Sequence, residues 1–487
     1  MSDGLKIKTL HGLFWSFFER IGQQGIQFII SIILARLLMP EQFGLIAMLT
    51  IFMAVAQSII DSGFGSALIQ KQNANHLDEC SIFYFNILVG FIAAGTLCLA
   101  APWIAAFYKT PLLVPLTRLL SLNMIINSFR IIQITLLTKR IDFKTRMKIS
   151  VTASVLSGFI GIAMPYQGYG VWSLVAQSIC SNLFLTSLLW LFLPWRPSWI
   201  FSFTSLRIMF SFGSNLFFSG LLETIYRNLY LIVIGKLFSA TDLGFYSRAK
   251  GLQQMPVENL SSAVYRVTFP VFSSIQENKA RLKVGVRKAL STLATVNFPL
   301  MIGLAVVAKP LVLVLLTDKW LPCVPYLQLL CVVGMLYPVH VINLNVLKAQ
   351  GRSDLYFWLE IIKKVLTTIA ILITWRWGIT AMIYGQIATS TIAYYVNSFY
   401  TGKLISYPIT EQIKDFIPSL GVASSMGVCV FLIGQIPFSN DLMMLTVQIT
   451  TGVVLYITLC NLTKNSPFIE IQLILQSKFR LSNNKDY

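Results

Sequence analysis

The sequence predicts an all-α integral membrane protein of about fourteen transmembrane helices, arranged as two six-helix lobes related by a parallel internal repeat, with two further helices at the C-terminal end. Three observations predict it. Of 487 residues, 55% are hydrophobic and 12% are charged, about half the charge of a soluble chain of this size. Apolar runs recur at the length that a hydrocarbon core of ~30 Å demands, about 20 residues per helix, so fourteen spans use roughly 280 residues and leave only short connections. The basic residues, finally, fall in alternate connections, as membrane orientation requires.

The spans are expected at 12–38, 43–68, 81–107, 113–137, 149–166, 169–193, 207–237, 243–269, 289–316, 324–348, 356–376, 378–400, 416–434 and 441–463. Turn-forming residues separate them, as in Met39-Pro40-Glu41, Pro165-Tyr166-Gln167-Gly168 and Gln350-Gly351-Arg352-Ser353-Asp354. The expected division is an N-terminal lobe over 1–200, a C-terminal lobe over 201–403, two helices over 404–465 and a tail over 466–487. That tail opens with Ser466-Pro467, a helix start, and mixes apolar and polar residues at helical spacing. Too short to span, it is expected to lie on the cytoplasmic surface. The first apolar run, interrupted by Glu19 and Arg20 and lacking a small-residue cleavage site, reads as a permanent helix and not a signal peptide.

A net charge of +19 would suggest nucleic acid in a soluble chain. Here the cations sort by side and no nucleic-acid partner is expected. With the N-terminus cytoplasmic, one set of connections holds Lys71, Lys139, Arg140, Lys144, Arg146, Lys148, Arg196, Lys279, Arg281, Lys283, Arg352, Lys403, Lys414 and Lys464, whereas the other holds little beyond Lys109, Lys319 and Arg376. Both termini are therefore expected in the cytoplasm. The seven cysteines are scattered singly and read as small core residues.

The halves repeat. Ile32-Ile33-Leu34-Ala35-Arg36-Leu37 and Ile232-Val233-Ile234-Gly235-Lys236-Leu237 stand 200 residues apart, and Gly44 matches Gly244 in the same register. Further on, Pro115 meets Pro325 at an offset of 210, and Gly170-Val171 meets Gly378-Ile379 at 208. Six helices per copy is an even number, so both copies enter the membrane in one direction, and transport sites form where such repeats meet.

Ionisable residues inside spans are costly and usually face an interior cavity. Glu19, Gln23 and Gln27 share one helix face with Arg20 and Gln24 beside them, and Ser211, Asn215, Ser219, Glu223 and Arg227 form an i+4 stripe on the seventh helix. The second and eighth spans carry Gln57, Asp61, Arg248, Lys250, Gln253, Gln254, Glu258 and Asn259; the fourth carries Asn123, Asn127 and Arg130, with Arg130 matching His340 on the tenth. The plainer reading, pairing between helices or snorkelling at span ends, suits Arg36, Arg207, Lys236, Arg266 and Lys348. A hydrated substrate cavity is expected at Arg20, Gln23, Gln27, Arg130, Glu223, Arg227, Arg248 and Lys250. Its cationic bias suits an anionic cargo such as a pyrophosphate or acidic sugars. No P-loop, HExxH, GxSxG or zinc-ligand spacing occurs, so neither catalysis, nor a bound cofactor or metal, nor a direct ATP motor is expected.

Asp242-Leu243-Gly244-Phe245-Tyr246-Ser247-Arg248-Ala249, continuing through Pro256-Val257-Glu258-Asn259 to Phe269-Pro270, and Ala35-Arg36-Leu37-Leu38-Met39-Pro40-Glu41-Gln42-Phe43-Gly44 resemble Wzx-type flippases of the colanic-acid exporter group, in the polysaccharide transporter branch of the multidrug/oligosaccharidyl-lipid/polysaccharide exporter superfamily. The resemblance implies two lobes around a cavity that opens to each side of a bacterial inner membrane in turn. It implies an undecaprenyl-diphosphate-linked oligosaccharide as cargo, membrane lipids and, downstream, a polysaccharide polymerase and chain-length regulator as partners, and coupling to an H⁺ or Na⁺ gradient. The coupling candidates, in order, are Asp61, Glu19, Glu223 and Glu258. Two alternatives are an ion-coupled multidrug antiporter, which would favour an acidic cavity, and a membrane-embedded polysaccharide polymerase, which would favour a large outer loop.

Overall fold

A computed structural model describes residues 3–61, 64–71 and 73–483, and among these every regular element is helical. The first compact unit, residues 1–244, contains α1 (Asp3–Leu37), α2 (Pro40–Asp61), α3 (Phe64–Gln70), α4 (His76–Tyr108), α5 (Leu113–Ser128), α6 (Ile131–Lys139), α7 (Phe143–Tyr166), α8 (Trp172–Phe192) and α9 (Phe203–Leu237). The second unit, residues 245–487, contains most of α10 (Ala240–Ser274), then α11 (Lys279–Val306), α12 (Ala308–Leu316), α13 (Cys323–Ala349), α14 (Ser353–Thr374), α15 (Gly378–Ile405), α16 (Ile409–Ile433), α17 (Asp441–Leu462) and the tail helix α18 (Ser466–Asn483). Eight helices of the described residues are long and apolar enough to cross a membrane, or nine if the bent pair α5 and α6 counts as one span. The chain is a multi-pass membrane protein. Large apolar side chains such as Trp103, Phe159 and Leu191 are exposed on its surface, where hydrocarbon replaces water as the solvent.

Two expected spans are not single helices. The fourth bends by 42° between α5 and α6, and the ninth is broken between α11 and α12, whereas α2 and α3 belong to one apolar span over Pro40–Gln70. Apolar periodicity runs through these breaks, so hydropathy alone cannot see them. The distal halves α3 and α6 pack together around Phe64, Leu68, Ile132 and Leu136. α7 starts at Phe143, six residues ahead of the expected span, because Asp142 caps it by accepting from the Thr145 N–H at 3.1 Å. That extra turn lifts Arg146 out of the expected loop and onto the helix.

Helix pairings recur between the units in the repeat register. α4 packs on α5 as α11 and α12 pack on α13; α5 packs on α8 as α13 packs on α15; α7 packs on α8 as α14 packs on α15. α9 lies along α2 within the first unit. Small residues allow close approach, as interfaces without a hydrophobic driving force require: a Cβ on Gly90 of α4 would lie 2.7 Å from the Cβ of Ser128 on α5. Connections assigned by charge to the same side also meet. Lys139 donates to the Lys71 carbonyl at 3.3 Å, and Gln350 to the Gln276 carbonyl at 2.7 Å.

Candidate functional site

The second and fourth spans carry charged groups within the first unit. Asp61 is the last residue of α2, and Arg130 precedes the first residue of α6 at the 42° bend. The two side chains feel each other's charge. Asp61 is exposed and Arg130 half-buried.

Amides hold the pair. Gln57, one turn before Asp61, donates Nε2 to Oδ1 at 3.0 Å, and its own Oε1 accepts from Asn127 Nδ2 at 2.8 Å. Arg130 donates to Asn182 Oδ1 at 2.7 Å; Asn182 Nδ2 donates to Asn123 Oδ1 at 3.0 Å; Asn123 Nδ2 donates to Ser178 Oγ at 3.1 Å. Two polar chains result, one joining α2 to α5 and one joining Arg130 and α5 to α8. An arginine hydrogen-bonded to an amide, with a carboxylate nearby, presents a charge whose balance an arriving anion or cation changes. Beside it, Glu19 of α1 and Arg146 of α7 form an ion pair at 2.8 Å, and Arg146 is near enough to Arg130 to repel it. Glu19 is only 7% exposed, so it is a helix-to-helix tie as well as a coupling candidate.

The structure therefore brings Asp61, Arg130 and, through Arg146, Glu19 together. Arg20 and Gln23 are half-buried along α1, and Gln27, Glu223 and Arg227 are exposed on α1 and α9. Ser211, Asn215 and Ser219 lie outside the described side chains. Next to Glu223, Thr224 shares a 3.1 Å hydrogen bond with Ser58 of α2. In the second unit, the Arg248 guanidinium lies over the Trp320 ring at 5.4 Å, Lys250 is half-buried, and Glu258 accepts from Gln254 one turn earlier.

Sequence reasoning overlooked Asn182 and Arg146. A boundary error hid Arg146. Asn182 carried a usable signal, because at the 208-residue offset of the sixth and twelfth spans it matches Ser390. In the second unit His340, the counterpart of Arg130, shares a 3.1 Å hydrogen bond with that Ser390, and Asn397 reaches its other ring nitrogen at 3.2 Å. The same polar bridge between equivalent helices occurs in both units, with the guanidinium of one copy replaced by an imidazole in the other. Gln412 is a second hub that sequence reasoning missed: its Oε1 accepts from Asn343, Tyr394 and Ser398.

Comparison with known proteins gives this arrangement its context. Residues 33–325 match a family described as polysaccharide biosynthesis protein. The chain is 29% identical over 392 residues to the teichuronic acid biosynthesis protein TuaB of Bacillus subtilis (strain 168), covering 77% of this chain and 78% of that protein. It is 27% identical over 445 residues to the lipopolysaccharide biosynthesis protein WzxC of Escherichia coli (strain K12), covering 87% and 88%. These matches bear out the resemblance drawn from residues 35–44 and 242–270. In fold it is similar to the lipid II flippase MurJ in an inward closed conformation, with a TM-score of 0.74, 14% identity, and coverage of 93% of this chain and 98% of that one.

Proposed function

This chain belongs to the polysaccharide biosynthesis protein family, and on that premise we propose that it is a flippase, a transporter and not an enzyme, for undecaprenyl-diphosphate-linked oligosaccharide repeat units. It sits in a bacterial inner membrane with both termini in the cytoplasm and serves the biosynthesis of an exopolysaccharide, capsule or lipopolysaccharide. Fourteen spans, with repeat lobes over 1–200 and 201–403, work by alternating access. A polymerase and a chain-length regulator use the product on the far side.

The observation that carries this reading is that Asp61 and Arg130, opposite charges near enough to interact, stand within two apolar spans of the first unit, Arg130 at the 42° bend of its span. Charges at membrane depth are retained where a cargo or ion uses them. Arginine is the side chain suited to diphosphate oxygens, since its planar fork makes two parallel hydrogen bonds. Asn182 accepts a hydrogen bond from it. When the head group engages Arg130, Asp61 loses its counter-charge, and a proton or Na⁺ entering from the gradient restores the balance. The isoprenoid tail stays in the bilayer while the polar head crosses.

Deleting the gene tests the proposal. Lipid-linked repeat units are expected to accumulate in the cytoplasmic leaflet, read by an impermeant sugar-modifying reagent on intact cells against inverted vesicles. Accumulation in the outer leaflet would point to the polymerase reading. No accumulation, with altered resistance to cationic drugs, would point to the antiporter.

A further inference from the structure

One apolar groove on the first unit is lined by neither Asp61 nor Arg130. It has a volume of about 680 Å³, within the ~300–1,000 Å³ of small-molecule sites. α2 contributes Phe52 and Ile59, α4 contributes Ile92, Trp103 and Phe107, and α9 contributes Ile232. Ile92 and Phe107 are fifteen residues apart on α4, which makes the groove about 22 Å long at 1.5 Å per residue. Trp103 is 74% exposed and Ile92 57%, so the groove is open along its side. In a multi-pass membrane protein, an open apolar side faces lipid.

One end of the groove carries charge. Lys236 lies one helical turn beyond Ile232 on the same face of α9. Its ammonium lies over the Phe107 ring at 4.4 Å and donates to the Phe107 carbonyl, while the side chain remains exposed. An ammonium has three donors, and the carbonyl takes one. A long apolar slot ending at a cation matches an amphiphile with a chain at one end and an anionic oxygen at the other. The slot itself confers little selectivity, because leaving lipid for an apolar wall gains no hydrophobic free energy. The cation supplies the discrimination, as in basic pockets between transmembrane helices that hold anionic head groups.

We propose that the α2–α4–α9 groove is a binding site for an anionic membrane phospholipid, with an acyl chain along Ile92 to Phe107 and the head-group phosphate on Lys236. This site includes neither Asp61 nor Arg130 and does not depend on which cargo the chain transports. Native mass spectrometry of the full chain, purified in detergent with equal phosphatidylglycerol and phosphatidylcholine of the same acyl chains, tests it. The wild type is expected to retain phosphatidylglycerol about fivefold over phosphatidylcholine, the worth of one lysine near an anionic head group. Lys236→Gln should remove the preference, and Lys236→Arg should keep it. Ala100→Trp, which fills the groove, should lower retention of both lipids. Equal retention of the two lipids by the wild type, or an unchanged preference in Lys236→Gln, would overturn the proposal. If Lys236→Gln fails to accumulate, undiminished phosphatidylglycerol retention by Ala100→Trp would overturn it instead.

Discussion

Gly44 and Gly244, matched residues of the two sequence repeats, meet each other at the starts of α2 and α10. A Cβ on Gly44 would lie 1.7 Å from the Ala240 carbonyl oxygen, and a Cβ on Gly244 would lie 2.0 Å from the Pro40 carbonyl oxygen. Pro40 and Ala240 are themselves 200 residues apart. The contact is thus reciprocal, each helix start notched to receive the backbone of its counterpart.

Because backbone rather than a flexible side chain lies opposite, the helices must move apart to admit a methyl group. Overpacking of this kind costs about 1–3 kcal/mol. Gly44→Ala is therefore expected to lower the thermal transition in detergent by several degrees, and Gly44→Val by more. Gly95→Ala is the control: nothing lies within 4 Å of its Cβ position, so a neutral or slightly stabilising effect is expected. Equal losses at both positions would mean that the crossing is not tight.

Arg130→Ala is expected to reduce export at least tenfold while protein abundance falls much less, measured by polysaccharide output against membrane immunoblots. A parallel loss of abundance would reduce Arg130 to a packing role. Asp61→Asn should also cut export. Since the two side chains interact, the double variant should be less impaired than the product of the single effects. Strict multiplicativity would separate them.

Glu19 and Arg146 call for the opposite pattern. Their ion pair joins α1 to α7, and removing Glu19 leaves Arg146, about one-third exposed, without its counter-charge. Glu19→Gln alone should lower thermal stability, and adding Arg146→Gln should recover part of it. If Glu19→Gln instead leaves stability intact and abolishes the ion dependence of transport, Glu19 is the coupling carboxylate and Asp61 is not.

Orientation can be read chemically. In a background without accessible native cysteines, a cysteine replacing Lys139 should resist an impermeant maleimide applied to intact cells, while one replacing Lys109 should react. Both positions are ends of helices, at α6 and just after α4. The reverse result would invert the topology.

Asn182 and Ser390 give a further test of the duplicated bridge. Asn182→Ala removes the acceptor of Arg130, and Ser390→Ala removes a partner of His340. Loss of a hydrogen bond to a charged group costs about 1.5–3 kcal/mol against ~0.5–1.5 for a neutral one. The first substitution is therefore expected to be the more damaging, by thermal shift and by export. Equal effects would mean that the Arg130–Asn182 bond is worth no more than a neutral one.

The sequence by itself determined that this is a helical membrane protein, roughly where its spans lie, and that its halves repeat. Those properties follow from solvent: about twenty apolar residues must cover a hydrocarbon core, and basic residues must sort by side. Asp61, Arg130 and Glu19 were legible as candidates because a charge inside an apolar run stands out. Tertiary structure alone decided which of them meet. Apolar runs continue smoothly through the 42° bend before α6, and only packing shows that Arg130 at that bend comes near Asp61 of α2. A capping bond to Asp142 decided that Arg146 would reach Glu19. Local composition sets which residues cost energy in lipid, but partners that offset the cost come from helices 50 to 130 residues away, and only the fold brings those together.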